Sequence, residues 1–488
     1  MAVMDVLFTM VHCVVYRYLF YFLKIIIRYI IYFEHNIEKT KIKNKEIYIS
    51  LFFLCFMILL NELGSDTMTF NILTLGCKVN SYESNVMRDI LIDNGYKEVG
   101  IADKADISII NTCTVTNTAD SKSLKVIRQA YKRNTDAIIV ACGCMVQNKK
   151  EEIENIDEIS IAFGNVGKSN IVKYIEEYIK NKHRIIDIQD VMNTDFEKMN
   201  INNFDKTRAF VKIEDGCDNF CTYCIIPYTR GNVRSKEPRE VINEVEILVK
   251  GGHKEVVLTG IHTGHYGFND FDFADLLEAL VKIDGLERLR ISSIEMNEVT
   301  DKVLNVFKNS DILVDHIHLP LQSGSDTVLK RMNRKYLKKD FIEKVNELRK
   351  IRPNISITTD VIVGFPEETE EEFLETIDTI KKINFSKIHV FPYSIRKGTP
   401  AEDMKQVDGN IKKERVKKLL NLSKELEQSY FEKFINKEVV FIPEVYKDGY
   451  LIGHTGNYLL VKTKGTEEEL HKDKIVTIKE IKYPYCMG

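Results

Sequence analysis

Arg208-Ala-Phe-Val-Lys-Ile-Glu-Asp-Gly-Cys217-Asp-Asn-Phe-Cys221-Thr-Tyr-Cys224 is the stretch from which the rest of the chain can be read. Its first part, Arg208–Ile213, is a short β-branched run of strand length. The loop that follows packs three cysteines into eight residues, at spacings of 4 and 3. Three thiolates so spaced can bind three irons of a four-iron cluster and leave the fourth iron open to a ligand. Zinc would want a fourth Cys or His close by, and none follows within reach in sequence. The whole chain has ten cysteines in 488 residues, too sparse for a disulfide scaffold, so this local density is chemistry rather than stapling.

Downstream, strand and helix patterns alternate. Strands are expected at Glu255–Leu258, Arg288–Ser293, Asp315–Leu319, Ser356–Gly364 and Lys387–Phe391. With the first strand these make six βα units, a partial barrel. Its conspicuous polar residues sit at strand C-termini, the face where barrels build active sites: Thr259-Gly260, Glu295, Gln322-Ser323 and Gly364. Taken singly, Glu295 or Gln322 would more often be a capping or surface residue; their shared placement favours the functional reading. Lys330-Arg331-Met-Asn-Arg334-Lys335, followed by Lys338-Lys339, is a basic run beside this mouth, suited to a phosphate backbone. The tail, Lys437–Lys482, reads as short strands divided by Gly, Asn and Asp turns: Glu438–Ile442, Gly449–Gly453, Tyr458–Val461 and Ile475–Ile481. A small β-barrel fits, of a kind that holds nucleic acid or serves as an interaction module.

Upstream, three apolar runs each end in a cysteine: Thr69–Leu75 into Gly76-Cys77, Asp106–Ile110 into Asn111-Thr112-Cys113, and Asp136–Ala141 into Cys142-Gly143-Cys144. The intervals from Cys77 to Cys113 and on to Cys144 are 36 and 31 residues, one βα unit apiece. Ligands of an open parallel sheet lie outside the carboxyl ends of its strands, so the three thiols converge on one crevice. A single Cys is often only a small buried hydrophobe, and Cys142, still on its strand, is the one expected to be so. The helix after Cys113 carries Lys122, Lys125, Arg128 and Lys132 on one face; a solvated face is the default reading of such a stripe, and a phosphate track the minority one.

Residues 1–67 do not match the rest. They crowd Phe, Tyr and Ile, but the first apolar run is broken by Lys24 and Arg28, and the second, Ile47–Leu60, is short of the roughly 20 residues a spanning helix needs. No cleavable signal pattern is present. Of a poor anchor and a translated upstream stretch preceding a start at Met68, we favour the second. Over the full chain apolar residues make up 44% and charged residues 29%, which excludes disordered and collagen-like classes. Lys plus Arg is 69 against 72 Asp plus Glu, a net charge of −3, so the chain is not a generally basic nucleic-acid binder, although a local basic track remains open.

On these motifs the sequence resembles the radical-SAM methylthiotransferases. The Cys217-x3-Cys221-x2-Cys224 loop is similar to the radical-SAM signature, three dispersed cysteines precede it, and the tail resembles a TRAM domain. Thr74-Leu-Gly-Cys-Lys-Val-Asn-Ser-Tyr-Glu-Ser84, Asn111-Thr-Cys-Thr-Val-Thr-Asn117, Gly231-Asn-Val-Arg-Ser235 and Leu258-Thr-Gly-Ile-His262 resemble the MtaB type. Cys142 departs from that pattern, where Thr or another small residue is expected, and as a spare thiol beside Cys144 it makes a ligand swap conceivable.

The resemblance implies an α/β chain of an N-terminal open parallel sheet domain with an auxiliary cluster (68–195), a central partial (β/α)6 radical-SAM barrel (206–433) and a small TRAM-like RNA-binding β-barrel (434–488). It implies methylthiolation at C2 of N6-threonylcarbamoyladenosine 37 of tRNA, with two [4Fe-4S] clusters and S-adenosyl-L-methionine as cofactors. Cys217, Cys221 and Cys224 would hold the cluster that binds and reductively cleaves S-adenosylmethionine; Cys77, Cys113 and Cys144 would hold the auxiliary cluster that presents sulfur. The deoxyadenosyl radical abstracts an unactivated hydrogen, so no side chain is expected to act as acid or base. Tyr223 would lie against the adenine, with Thr259, Gly260, Glu295, Gln322 and Ser323 as further cofactor contacts. Lys330, Arg331, Arg334 and Lys335 would follow the RNA, and Arg230 and Arg234 are candidates for facing the threonylcarbamoyl carboxylate. Expected partners are the tRNA anticodon arm and an electron donor such as flavodoxin or ferredoxin, in the cytoplasm and without a membrane. The alternatives are isopentenyladenosine tRNA or a ribosomal-protein aspartate as substrate and, remotely, a non-catalytic iron–sulfur electron-transfer or tRNA-binding protein.

Overall fold

The computed structural model describes residues 67–201, 204 and 207–488. The extension read above over 1–67 lies, but for Thr67, outside the described residues. Among them no helix is long and apolar enough to cross a membrane.

The N-terminal sheet is wholly parallel. From the two-residue edge strand Lys97–Glu98 it runs through β1 (Thr69–Thr74), β2 (Ile107–Thr112), β3 (Ile138–Gly143), β4 (Ile161–Phe163) and β5 (Ile185–Asp187). Every residue of β2 and β3 is buried, as expected of central parallel strands covered on both faces. Alternation divides their side chains: Ile138, Val140 and Cys142 join one apolar layer, Ile139 and Ala141 the other. Cys142 therefore takes the place of a small hydrophobe. Its thiol is fully buried in that layer and pushed up to about 12 by the burial.

Helix α1 (Lys78–Asp93) starts at Cys77 and is a wall shared by two layers. Met87 and Leu91 face its own sheet, whereas Tyr82 and Val86 belong to the core of the barrel that follows. The barrel strands are β6 (Arg208–Lys212), β7 (Glu255–Thr259), β8 (Arg288–Ile291), β9 (His316–His318), β10 (Ser356–Val363) and β11 (Lys387–Pro392). They form two parallel triplets in chain order, joined between β8 and β9 by a bridge between Leu289 and Leu313. The far edge, β11, is sealed by helix α2 (Gly409–Glu432), whose Ser423 Oγ bonds both the N–H and the carbonyl of Ile388 at 3.0 Å.

The tail forms one sheet in the order β15 (Lys474–Thr477), β12 (Glu438–Lys447), β13 (Tyr450–Thr455), β14 (Leu460–Lys464), β17 (Tyr485–Met487) and β16 (Glu480–Lys482). It curls into a half-barrel instead of closing. The run expected as one strand over Ile475–Ile481 breaks at Ile478, which turns into the apolar centre while its N–H and carbonyl bond Lys437 and Asn436. Its two halves become the opposite edges of the sheet. This half-barrel sits under the barrel, with Tyr458 stacked on the Arg290 guanidinium at 3.9 Å and packed edge-on against His316 at 4.4 Å. Arg288–Asp473 and Arg208–Glu444 ion pairs, at 2.9 and 3.2 Å, tie the two together.

Candidate functional site

A cavity of about 1020 Å³ runs the length of the barrel, from the cysteine loops at the strand C-termini down to Ser356, Ser386 and Tyr458. Cys77, Cys217, Cys221 and Cys224 line its upper end, so both cysteine sets reach one space. Cys113 and Cys144 are buried just behind Cys77. Gly76 allows that approach: its φ is +103°, and a Cβ there would meet the Cys113 Cβ at 2.9 Å and Sγ at 3.0 Å.

The donor chemistry fits iron–sulfur clusters. Among the described residues two groups of three metal-binding side chains have ligand atoms all within 4.8 Å, His262–His265–Glu298 and His318–Asp360–His389, and neither cysteine set is one of them. A single zinc would draw its sulfurs to about 3.8 Å of each other. The sulfurs of neither set all lie within 4.8 Å of one another. Burial raises the Cys77 and Cys217 thiols and pushes Cys113 to about 11 and Cys224 to about 12, so loading must expel protons.

Individual side chains support the upper set. The Cys217 Sγ lies 3.7 Å from His262 Nδ1, whose Nε2 pairs with Glu298, and His265 stacks on that ring at 3.8 Å. Arg334 Nη1 donates to Cys221 Sγ at 3.4 Å while its other amino group pairs with Glu295. The expected cofactor contacts Tyr223, Thr259, Gly260, Glu295 and Gln322 all line the cavity. Gln322 does so with φ +61°, its N–H bonded to Asp360 O and its carbonyl to Ile362 N–H. Ser323 does not line it. The turn at Gln322 sends the serine inward, where its Oγ meets Thr376 Oγ1 at 3.2 Å and accepts the Ser325 N–H.

Several arginines expected at the substrate are engaged elsewhere. Arg334 is buried against the cluster loop, not on an RNA path. Arg331 forks onto both oxygens of Glu372 at 2.9 and 2.7 Å, leaving Lys330 and Lys335 as the exposed members of that run. Arg230 is fully buried in an ion network with Glu83, Asp215, Lys212 and Lys168, and cannot meet a substrate carboxylate. Arg234 closes the same network at 3.6 Å from Asp215. The network binds α1 to the residues just before Cys217. Burial pushes the Glu83 and Asp215 carboxyls up, but Arg230 and the lysines outweigh it and hold both well below the usual range.

Sequence reasoning did not single out His262, Glu298 or Lys78. His262 ends the quoted motif Leu258-Thr-Gly-Ile-His262 and Lys78 lies within Thr74–Ser84, so membership of those motifs was the available signal. Lys78 lines the cavity beside Cys77; burial, then the like charges of Arg290 and Arg208, hold its ammonium below the usual lysine range.

Residues 211–380 match the Radical SAM superfamily, and residues 69–164 match the uncharacterized protein family UPF0004. The chain is 45% identical over 426 residues to the threonylcarbamoyladenosine tRNA methylthiotransferase MtaB of Bacillus subtilis (strain 168), covering 85% of this chain and 94% of that protein. The enzyme of the same name from Aquifex aeolicus (strain VF5) is 38% identical, over 81% of this chain and 96% of its own length. A tRNA-2-methylthio-N(6)-dimethylallyladenosine synthase of Alkaliphilus oremlandii (strain OhILAs) is 36% identical, over 82% and 88%. In fold alone, the chain is similar to the radical S-adenosylmethionine methyltransferase TsrM of Kitasatospora setae, with a TM-score of 0.52 and 12% identity over 69% of this chain and 74% of that one. With both cysteine sets on one cavity and this likeness along most of its length, the chain belongs to the radical-SAM methylthiotransferase family, and within it to the MtaB type.

Proposed function

We propose that this protein methylthiolates C2 of N6-threonylcarbamoyladenosine at position 37 of tRNA. The observation that carries the reading is the cavity shared by two three-cysteine sets, at the mouth of a barrel whose relatives at 45% and 38% identity are threonylcarbamoyladenosine tRNA methylthiotransferases. Cys217, Cys221 and Cys224 would hold one [4Fe-4S] cluster and Cys77, Cys113 and Cys144 the other. When bound, the first with S-adenosyl-L-methionine would supply the radical that takes the C2 hydrogen, and the second would present the sulfur, with a second S-adenosyl-L-methionine as the methyl donor.

The chain's own part is placement and exclusion of water. Tyr223, within the cluster loop, edge-on to Phe365 at 6.4 Å and lining the cavity, is placed for the adenine of S-adenosylmethionine. Arg334 neutralises Glu295 and holds Cys221 by a hydrogen bond, while His262 holds Cys217. Thr259, Gly260 and the backbone of Gln322 complete the wall. No side chain is needed as acid or base. Because C2 of a stacked adenosine is out of reach, the modified base must be flipped into the cavity. Lys330 and Lys335, with the half-barrel acting as a TRAM-type module, follow the anticodon arm; a flavodoxin or ferredoxin supplies electrons in the cytoplasm.

Mass spectrometry of tRNA nucleosides from cells lacking the protein tests this reading. The methylthio form of threonylcarbamoyladenosine should vanish while the unmethylthiolated form accumulates. Its survival at normal levels refutes the assignment.

A further inference from the structure

Three lysines or arginines line the cavity. Arg334 is paired with Glu295, and Lys387 with Glu427 at 2.9 Å. Lys78 differs: among the described residues its ammonium has neither a carboxylate nor a hydrogen-bond partner. The surroundings do not compensate it. Arg290 and Arg208 add charge of the same sign from below, each already matched to its own carboxylate, Glu255 at 2.9 Å and Glu444 at 3.2 Å. Asp360 on the nearby wall acts on Lys78 in the opposite sense, as does the adjacent Cys77, and His318 Nε2 stands 3.4 Å from Asp360. His316 and His389 offer imidazoles on the same wall. A partly buried cation without a counter-ion is costly in an empty site and favourable once an anion arrives.

Its position also fits the chemistry of the proposed substrate. Lys78 immediately follows Cys77, the cavity-lining member of the set assigned to sulfur delivery. In adenine, C2 and the carbon that carries N6 flank the same ring nitrogen. A base presented with C2 toward Cys77 therefore swings its N6 arm through the space within reach of a neighbouring lysine. The threonylcarbamoyl arm ends in a carboxylate, whereas a dimethylallyl arm has no charge. We infer that Lys78 is the specificity-determining residue of this site, binding the carboxylate of the threonylcarbamoyl arm through a charge-assisted hydrogen bond. The inference rests on the function proposed above and names the group that reads its substrate.

The test is binding under anaerobic conditions, by fluorescence anisotropy, with the full-length cluster-loaded protein. Four anticodon stem-loop RNAs are compared, carrying threonylcarbamoyladenosine, its methyl ester, isopentenyladenosine or unmodified adenosine. The wild type should prefer the acid to the ester by about ten- to a hundredfold, the range of a hydrogen bond to a charged group. Lys78→Gln should bring that ratio close to one, and Lys78→Arg should restore most of it. If Lys78→Gln keeps the full preference, or weakens acid and ester alike, the inference is overturned while the function stands. A wild type that prefers the arm but binds acid and ester equally also overturns it. A wild type that binds the threonylcarbamoyl RNA no better than the isopentenyl or unmodified RNA removes the proposed function itself.

Discussion

Replacing Glu83 by Gln should unbalance the ion network between the N-terminal sheet and the barrel. Glu83 is fully buried and meets Lys212 and Arg230 at 2.8 Å and Lys168 at 3.3 Å, while Asp215 meets Lys212 at 2.6 Å and Arg230 at 3.1 Å. Without the Glu83 charge, Lys212 and Arg230 keep only Asp215, which Arg234 also shares, and Lys168 keeps no carboxylate partner among the described residues. Removing one partner of a buried ion pair costs about 3–5 kcal/mol. With a urea m value of about 3 kcal/mol/M, the unfolding midpoint should fall by roughly 1–1.7 M at pH 7. Because α1 and the Cys217 loop meet at this network, amide exchange along 80–91 and 213–217 should accelerate with it. The sign with pH follows from the depressed carboxyls. Their stabilisation is complete above the unfolded values of about 4 and fades as pH falls through the folded ones, so the acid limb of stability should be shallower in the variant. A midpoint shift under about 0.3 M, near 1 kcal/mol, would refute the network as a structural tie.

Four further outcomes are expected. Replacing Lys330 and Lys335 by Ala should lower the salt-dependence slope of tRNA binding by about one per lysine, measured by titration across salt, whereas Arg331→Ala should leave the slope alone because Glu372 already holds that charge. Anaerobic loading should give about eight irons per chain; Cys144→Ala should lose about half, and Cys142→Ala should keep nearly all. Arg334→Met leaves Glu295 unpaired and Cys221 without its donor, so S-adenosylmethionine affinity should drop about tenfold or more by calorimetry and the cluster potential should move negative by electrochemistry. Deleting 434–488 should destabilise the whole barrel, read as loss of a cooperative melt, because it strips Tyr458 from the Arg290 guanidinium and His316.

The cysteine positions were legible because two periodicities agree. Apolar runs of strand length each end in a thiol, and the βα repeat brings strand ends together whatever the packing details. The six barrel strands were legible for the same reason, within one or two residues. What could not be read was which charges are already matched. Arg331, Arg334 and Arg230 look alike in sequence, yet their partners stand 41, 39 and 147 residues away. Pairing is a tertiary property that no local pattern carries. Ser323 failed for a smaller reason: the positive φ at Gln322 reverses the side on which the next residue falls. Lys78 stood in a quoted motif at the start of a helix, and only the folded cavity shows that its ammonium has no partner among the described residues.

The half-barrel under the cavity bears on how this architecture can be rearranged. A tail that merely trailed the barrel could be exchanged between relatives like a tag. Here Tyr458 and Asn457 are part of the cavity lining, and Arg288, Arg290 and Arg208 reach from barrel strands into tail loops and strands. A transplanted tail must therefore bring the groups that satisfy these three arginines, or the receiving barrel must change its own. The barrel interior and the last 55 residues are bound to vary as one unit, and a change in the depth of the pocket can be made from the tail without touching a barrel strand.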